Sequence, residues 1–191
     1  PTADVRCAGL VERIGEPTGR IKHRVDPEGE KQEIIRDLAI EDHGVGLKLV
    51  VDLLTDADFG VISAPTEIEA IGHRVVHGGD AYSCAVRVDD AVLQTLEKFI
   101  PMAPLHQPHN LSPIRSVMKL GADIPQVACF DTAFHRTNPP LAQLFALPRE
   151  FTDEGIRRYG FHGLSYEYIS RRLQVLDPVT ATGRVVVAHL G

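Results

Sequence analysis

Arg74, His106, Asp131, His162 and His189 each fall at or near the expected end of an element, where a fold can present a polar group without burying it. Together they suit phosphoryl transfer, which asks for positioning and for cations and donors around a nearly planar phosphoryl group. Arg74 is the sharpest of them. It lies in IGHRVVHGGD, Ile71 to Asp80, among β-branched residues that predict a buried strand ending on Gly78 and Gly79. An arginine fixed there suits fork-like recognition of a carboxylate or phosphate, and the glycines let backbone approach whatever lies beyond. The alternative is an arginine paired with a structural acid in front of a simple turn.

Nine histidines raise the possibility of a metal site. His73 and His77 flank Val75-Val76, which argues for a strand, and four residues of strand span about 13 Å, too far for one metal. The helical zinc motif also needs a glutamate where this chain has Arg74. His106 and His109 could pair in a loop, so a metal-dependent hydrolase is the rival class. No serine sits in a nucleophile elbow, no cysteine lies beside a base, and neither a Walker loop nor a dinucleotide glycine fingerprint is present.

The elements that must hold these residues alternate between strand and helix. Val5–Ile14 is apolar up to a turn at Gly15-Glu16-Pro17, and Gly19–Val25 alternates Ile21, His23 and Val25 against Arg20, Lys22 and Arg24. Asp26-Pro27-Glu28-Gly29 would turn the chain into a partner strand over Glu33–Ile40. Asp42 is placed to cap a helix with an apolar face at Val45, Leu47, Val50, Val51 and Leu54, weakened at its start by Gly44 and Gly46. Ala85–Val88 predicts a short strand, and Asp89 or Asp90 begins a helix carrying Val92, Leu93, Leu96, Phe99 and Ile100. Pro101–Asn110 predicts a proline-stiffened loop, Leu111–Leu120 a helix ended by Gly121, and Val127–Phe130 a buried strand after Pro125. A helix over about Ser165–Leu176, a linker over Asp177–Gly183 and a strand-like run from Arg184 complete the chain. The fold class is α/β, with a mixed sheet expected because the first strands form hairpins.

At 191 residues the length favours one domain and part of another. Twenty basic against 26 acidic side chains, a formal charge of -6, oppose nucleic-acid binding and offer no polybasic membrane patch. Cys7, Cys84 and Cys129 read as reduced core residues, and no run is long enough to span a membrane, so a cytoplasmic protein is expected. The start at Pro1 and the stop at Gly191 after a strand-like run suggest a piece of something longer.

HRVVHGG at His73–Gly79, APLHQPHN at Ala103–Asn110, FDTAFH at Phe130–His135, RRYGFHG at Arg157–Gly163 and AHLG at Ala188–Gly191 resemble the acetate kinase family in order and approximate spacing. The resemblance implies an actin-like ATPase (ribonuclease H-like) fold. It also implies reversible transfer of the γ-phosphoryl of ATP to acetate, giving acetyl phosphate and ADP. It assigns Arg74, Asp131 and His162 to catalysis and Arg74, Val76, Leu105, His106 and Phe161 to the acyl substrate. His189, Leu190 and Gly191 fall at the start of a phosphate-contacting loop. Mg²⁺ would accompany the nucleotide, with its direct protein ligands outside this chain, and the full-length protein would be a homodimer. Residues 1–140 would then be the acyl-side domain, lacking its first strand, and 141–191 the start of the nucleotide-side domain, with the boundary near Asn138–Leu147. On that reading the 191-residue chain alone is inactive. The family pattern Phe-His-Gly-Thr-Ser-His appears here as FHGLSY, and Gln107 stands for the usual loop asparagine. These departures keep open a propionate or other short-chain acyl kinase, or a silent binding paralogue.

Overall fold

The computed structural model describes residues 4–25, 32–119 and 124–190. They fall into two compact units: residues up to Glu69 with those between Ser112 and Ile124, and Ala70–Leu111 with the residues from Pro125 on. The expected boundary between residues 138 and 147 lies within the second unit.

In the first unit, β1 (Cys7–Glu12), β2 (Gly19–Val25) and β3 (Gln32–Leu38) form an antiparallel sheet in that order. The alternation along β2 turns Ile21, His23 and Val25 inward, as the period-2 pattern requires. The turn expected at Asp26–Gly29 lies outside the described residues. Helix α1 (His43–Leu54) starts where the Asp42 carboxylate accepts the Val45 N–H at 2.9 Å. Gly46 is buried and faces Val11, Ile14 and Ile40, at distances where a Cβ would make ordinary contact.

In the second unit, β4 (Ile71–Val75) runs parallel to β6 (Gln126–Phe130), and β5 (Val86–Arg87) pairs antiparallel on the other side of β6. The mixed sheet is therefore here. The hairpin strands expected to create it form a separate, wholly antiparallel sheet. Strand β6 buries Gln126, Ala128 and Phe130 in alternation, but β4 is more open than its apolar sequence suggests, with Gly72 and Arg74 exposed.

Helix α2 (Asp90–Glu97) is capped by Asp89, whose carboxylate accepts the Val92 N–H at 2.8 Å. Phe99 and Ile100 fall past its end, in a turn that leads into a 3₁₀ segment at Ile100–Met102. The loop expected up to Asn110 is shorter, because α3 (Gln107–Lys119) begins four residues before the expected Leu111. Pro108 hides this start in the sequence but fits it, since N–H groups in a first helical turn have no intrahelical partner. The terminator expected at Gly121 is outside the described residues.

After α4 (Arg149–Asp153), α5 spans Gly163–Leu176. The expected linker at Asp177–Gly183 contains a short helix, α6 (Pro178–Ala181), which Asp177 starts by accepting the Thr180 N–H at 3.0 Å. Residues 184–190 form no strand among the described residues; a β-branched run without a neighbour to bond has no ladder to join. The cysteines are not core residues either: Cys84 is exposed, and Cys7 and Cys129 are half-buried. No described helix is long and apolar enough to cross a membrane.

Candidate active site

Parallel pairing of β4 with β6 sets Arg74 opposite Cys129 and Val75 opposite Phe130, so both strands finish at the same edge. The Asp131 N–H extends the ladder by donating to the Val75 carbonyl at 3.0 Å. Arg74 and Asp131 are thereby brought side by side at the carboxyl ends of adjacent parallel strands, the edge at which open α/β sheets place ligands. Their side chains close a forked ion pair. Arg74 Nε donates to Oδ1 and Oδ2 at 3.2 and 3.0 Å, and Nη2 donates to Oδ2 at 2.7 Å.

The pair is asymmetric: the Asp131 side chain is 2% exposed and that of Arg74 63%. The carboxylate is a buried anchor and the guanidinium a surface that anchor orients. The bond to Asp131 also holds the Arg74 pKa above its usual value, against the opposing pull of partial burial. Of the two readings of Arg74 in the sequence, the pairing with an acid is thus realised, and the acid is itself the other candidate. With Nε and one Nη2 hydrogen committed, the rest of the fork is available to a second anion.

Beside this pair lies a cavity of about 520 Å³. Its lining combines the polar side chains of Arg74, Asp131, His106, Asn110 and His162 with the apolar ones of Val76, Met102, Ala103 and Phe161. Arg74, Val76, His106, Asp131, Phe161 and His162, scattered through four sequence motifs, come together here. Leu105 does not: it is 78% exposed and does not line the cavity. His189 does not line it but stacks on His162, with ring centroids 4.2 Å apart and planes 21° off parallel. Leu190 is 93% exposed, and Gly191 is outside the described residues.

Local clamps fix these positions. Asn110, on the first turn of α3, accepts the Val76 N–H at 2.9 Å, which satisfies the backbone just where the chain leaves β4. Gln107 is fully buried; its amide accepts from the His77 N–H at 3.3 Å and donates to the carbonyls of His77 and Leu96 at 3.1 and 3.2 Å. The residue that departs from the family asparagine is thus a brace for the turn after β4. Gly78 and Gly79 serve the same packing. A Cβ on Gly79, at φ +59°, would run into the Phe99 ring, and one on Gly78 into Phe130, so the close approach they permit is to aromatic side chains.

Two further glycines tie FDTAFH to RRYGFHG. The Gly163 N–H donates to the Asp131 carbonyl at 2.8 Å, and a Cβ there would collide with that oxygen. Gly160 lies against the His135 ring, whose Nε2 donates to the Phe161 carbonyl at 2.8 Å. His162 itself begins α5 at φ 57°, ψ 22°, a left-handed conformation uncommon for a residue with a side chain. Asn110, Met102, Ala103 and the glycine contacts were not picked out from the sequence. Asn110 could have been, since a polar residue one helical turn after His106 faces the same side.

His77 is buried and uses Nδ1 to accept the Gly79 N–H at 2.8 Å, so its proton sits on Nε2. Tyr159 and Phe161 pack edge-on against it at 4.5 and 5.8 Å. Burial pushes its pKa below the ordinary histidine value, as it does for His73, where a bond to Gln126 opposes the shift. Both folded-state values therefore lie below the unfolded value near 6.5. The stability that the neutral rings contribute is complete above that pH and is lost as pH falls through the folded values. We expect the urea midpoint to hold from pH 8 to 7 and to decline below about pH 6.5, with a shallower decline for His77→Gln. A midpoint that stays flat down to pH 5 would contradict this reading of His77.

The sequence model of the Acetokinase family matches residues 1–191. The chain belongs to the acetokinase family. It is 46% identical over 189 residues to the acetate kinase of Thermotoga maritima, covering 98% of this chain and 46% of that protein. Among solved structures, acetate kinase from Porphyromonas gingivalis superimposes with a TM-score of 0.84 at 37% identity, over 95% of this chain and 45% of that one. A propionate kinase from Francisella tularensis gives 0.81 at 32% identity, over 92% and 43%. The α/β fold with a mixed sheet is thus that of acetokinase-family kinases, of the actin-like type. The chain spans about half the length of the relatives it matches.

Proposed function

We propose that the protein carrying this chain is an acetate kinase, catalysing ATP + acetate ⇌ ADP + acetyl phosphate. The observation that carries the reading is the Arg74–Asp131 fork at the end of two parallel strands, beside a cavity lined by both polar and apolar side chains. A small carboxylate with a methyl group needs both kinds of contact. Acetate is already ionised near neutral pH, so an acetate oxygen can attack the γ-phosphorus while the bond to the bridging oxygen of ADP breaks, with no proton to remove. The residues are then left with positioning and charge. The outward edge of Arg74 holds the acyl carboxylate and the transferring phosphoryl, and His162 donates to the phosphoryl oxygens. Asp131 fixes the guanidinium, and His106 and Asn110 complete the polar lining.

In this reading residues 1–140 carry the acyl side and 141–191 open the nucleotide side, with His189, Leu190 and Gly191 approaching the phosphates. Mg²⁺, entering with the nucleotide, would supply charge neutralisation on the phosphates. Asp131 is buried and both its oxygens accept from Arg74, so its part is to orient the guanidinium, and the direct protein ligands of Mg²⁺ are expected outside this chain. Among the described residues no group of three or more histidines, cysteines and acids is arranged to hold a metal ion, so the metal-hydrolase alternative built on His106 and His109 gains no support. Homodimerisation and a cytoplasmic location remain part of the proposal.

The test is to purify the intact protein, supply MgATP and acetate, and trap acetyl phosphate as its hydroxamate while following ADP. Equal yields of both, dependent on acetate, are expected. ADP released without acetyl phosphate would overturn the assignment.

Acyl preference follows from the apolar lining, in which Val76 and Phe161 accompany the polar groups and Leu105 takes no part. A single methylene in such a pocket changes discrimination by about 1–3 kcal/mol. Acetate is therefore expected to be favoured over propionate by about 10-fold or more in kcat/KM, and Val76→Ala should narrow the gap by making room. Steady-state kinetics with acetate, propionate and butyrate checks this. Equal specificity constants in the unsubstituted enzyme would mean that Val76 and Phe161 do not set acyl size.

A further inference from the structure

His162 has an exposed ring on a strained backbone position, and the described contact of that ring is the stack with His189. What holds His189 thus bears on where His162 points. His189 Nδ1 lies 3.2 Å from the Ser165 hydroxyl, and its ring meets Tyr166 at 6.4 Å between centroids. Tyr166 is half-buried and seated on a firm floor. It stacks on Phe134 at 6.3 Å and takes the edge of His135 at 5.5 Å, while Phe134 and His135 pack at right angles to each other. Those two residues lie three and four positions after Asp131 in the chain, and His135 is bonded to the Phe161 carbonyl. A continuous set of contacts therefore runs from the Asp131 turn through Tyr166 and His189 to His162.

We propose that Tyr166, aided by Ser165, is a positioning residue: it docks His189 as an imidazole cover on His162 and so fixes the His162 ring at the cavity. Tyr166 touches none of the residues lining the cavity wall formed by Arg74, Val76 and His106 in the contacts described, so its effect should appear in the reaction step and spare acyl binding. The inference rests on the kinase reading for its kinetic consequence, but its geometric half does not.

The experiment uses the intact protein with ¹³C-labelled histidine. Ring-proton cross-relaxation between His162 and His189, assigned with His162→Gln, is expected in the unsubstituted protein and in Tyr166→Phe, and is expected to vanish in Tyr166→Leu. Kinetically, Tyr166→Leu should lower kcat about 10-fold or more while acetate KM stays within about 2-fold, with Tyr166→Phe close to the parent. If Tyr166→Leu does not fold by circular dichroism, Ser165→Ala serves instead, with a weakened cross-peak expected. Persistence of the His162–His189 contact in Tyr166→Leu, or in Ser165→Ala where that is used, overturns the inference. So does a Tyr166→Phe variant as impaired as Tyr166→Leu. Absence of acetyl phosphate from the unsubstituted protein would instead overturn the kinase reading, and the cross-relaxation result would still decide the role of Tyr166.

Discussion

Arg74→Ala in the intact enzyme is expected to lower kcat by about 100- to 1000-fold, because a cation placed where charge develops in the transition state is among the largest single contributions to such a reaction. The ion pair adds a second consequence. Asp131 is 2% exposed and loses both arms of its partner, so the variant should also lose about 1–3 kcal/mol of stability, the cost of a buried acceptor left unmatched. The two effects separate through Arg74→Lys, which restores a charge without a fork. Lysine should recover much of the stability and little of the rate. A lysine variant turning over at close to the parental rate would show that the fork has no role in recognising the anion. Asp131→Ala with Arg74→Ala completes a double-mutant cycle, and non-additivity in kcat is expected because the two side chains act as a unit.

Gly163→Ala should be nearly as damaging without touching a charge. The added methyl would meet the Asp131 carbonyl oxygen and the Phe134 Cβ, neither of which can swing aside as the end of a flexible side chain could. The start of α5 must then retreat from β6, breaking the 2.8 Å bond from the Gly163 N–H and moving His162 away from Asp131. A displacement of about 1 Å is enough for roughly a 100-fold loss in rate, and overpacking of this kind costs about 1–3 kcal/mol. Turnover and urea denaturation of the single variant measure both. A Gly163→Ala enzyme within twofold of the parent in kcat would mean that the α5 start does not set the His162 position.

These two sites also show which parts of the molecule were legible in the sequence. Strand β2 announces itself through its alternation of apolar and basic residues, β4 and β6 through apolar runs bounded by glycine or proline, and caps such as Asp42 and Asp89 through their place before an apolar period. The ends of β4 and β6 follow from that, so Arg74 and Asp131 could be marked as strand-end residues. Their contact could not, because register between strands so far apart in sequence is a tertiary fact. Leu105 neighbours His106 in the chain, yet in this structure it is exposed and absent from the cavity lining, which Met102 and Ala103 join instead. Residues 184–190 show the limit of pattern alone: Val185, Val186 and Val187 favour a strand, yet no described neighbour pairs with them. The packing roles of Gly160 and Gly163 are visible only once the atoms they leave room for are seen.

His162 occupies a backbone conformation that glycine or asparagine adopts with less strain, and the mismatch costs on the order of 1 kcal/mol. On the kinase reading, in which His162 donates to the phosphoryl oxygens, fold and chemistry therefore ask for different residues at this one position. A lineage under selection for thermal robustness alone would drift toward glycine or asparagine there, and a stabilised consensus sequence drawn from such a lineage would arrive already disarmed.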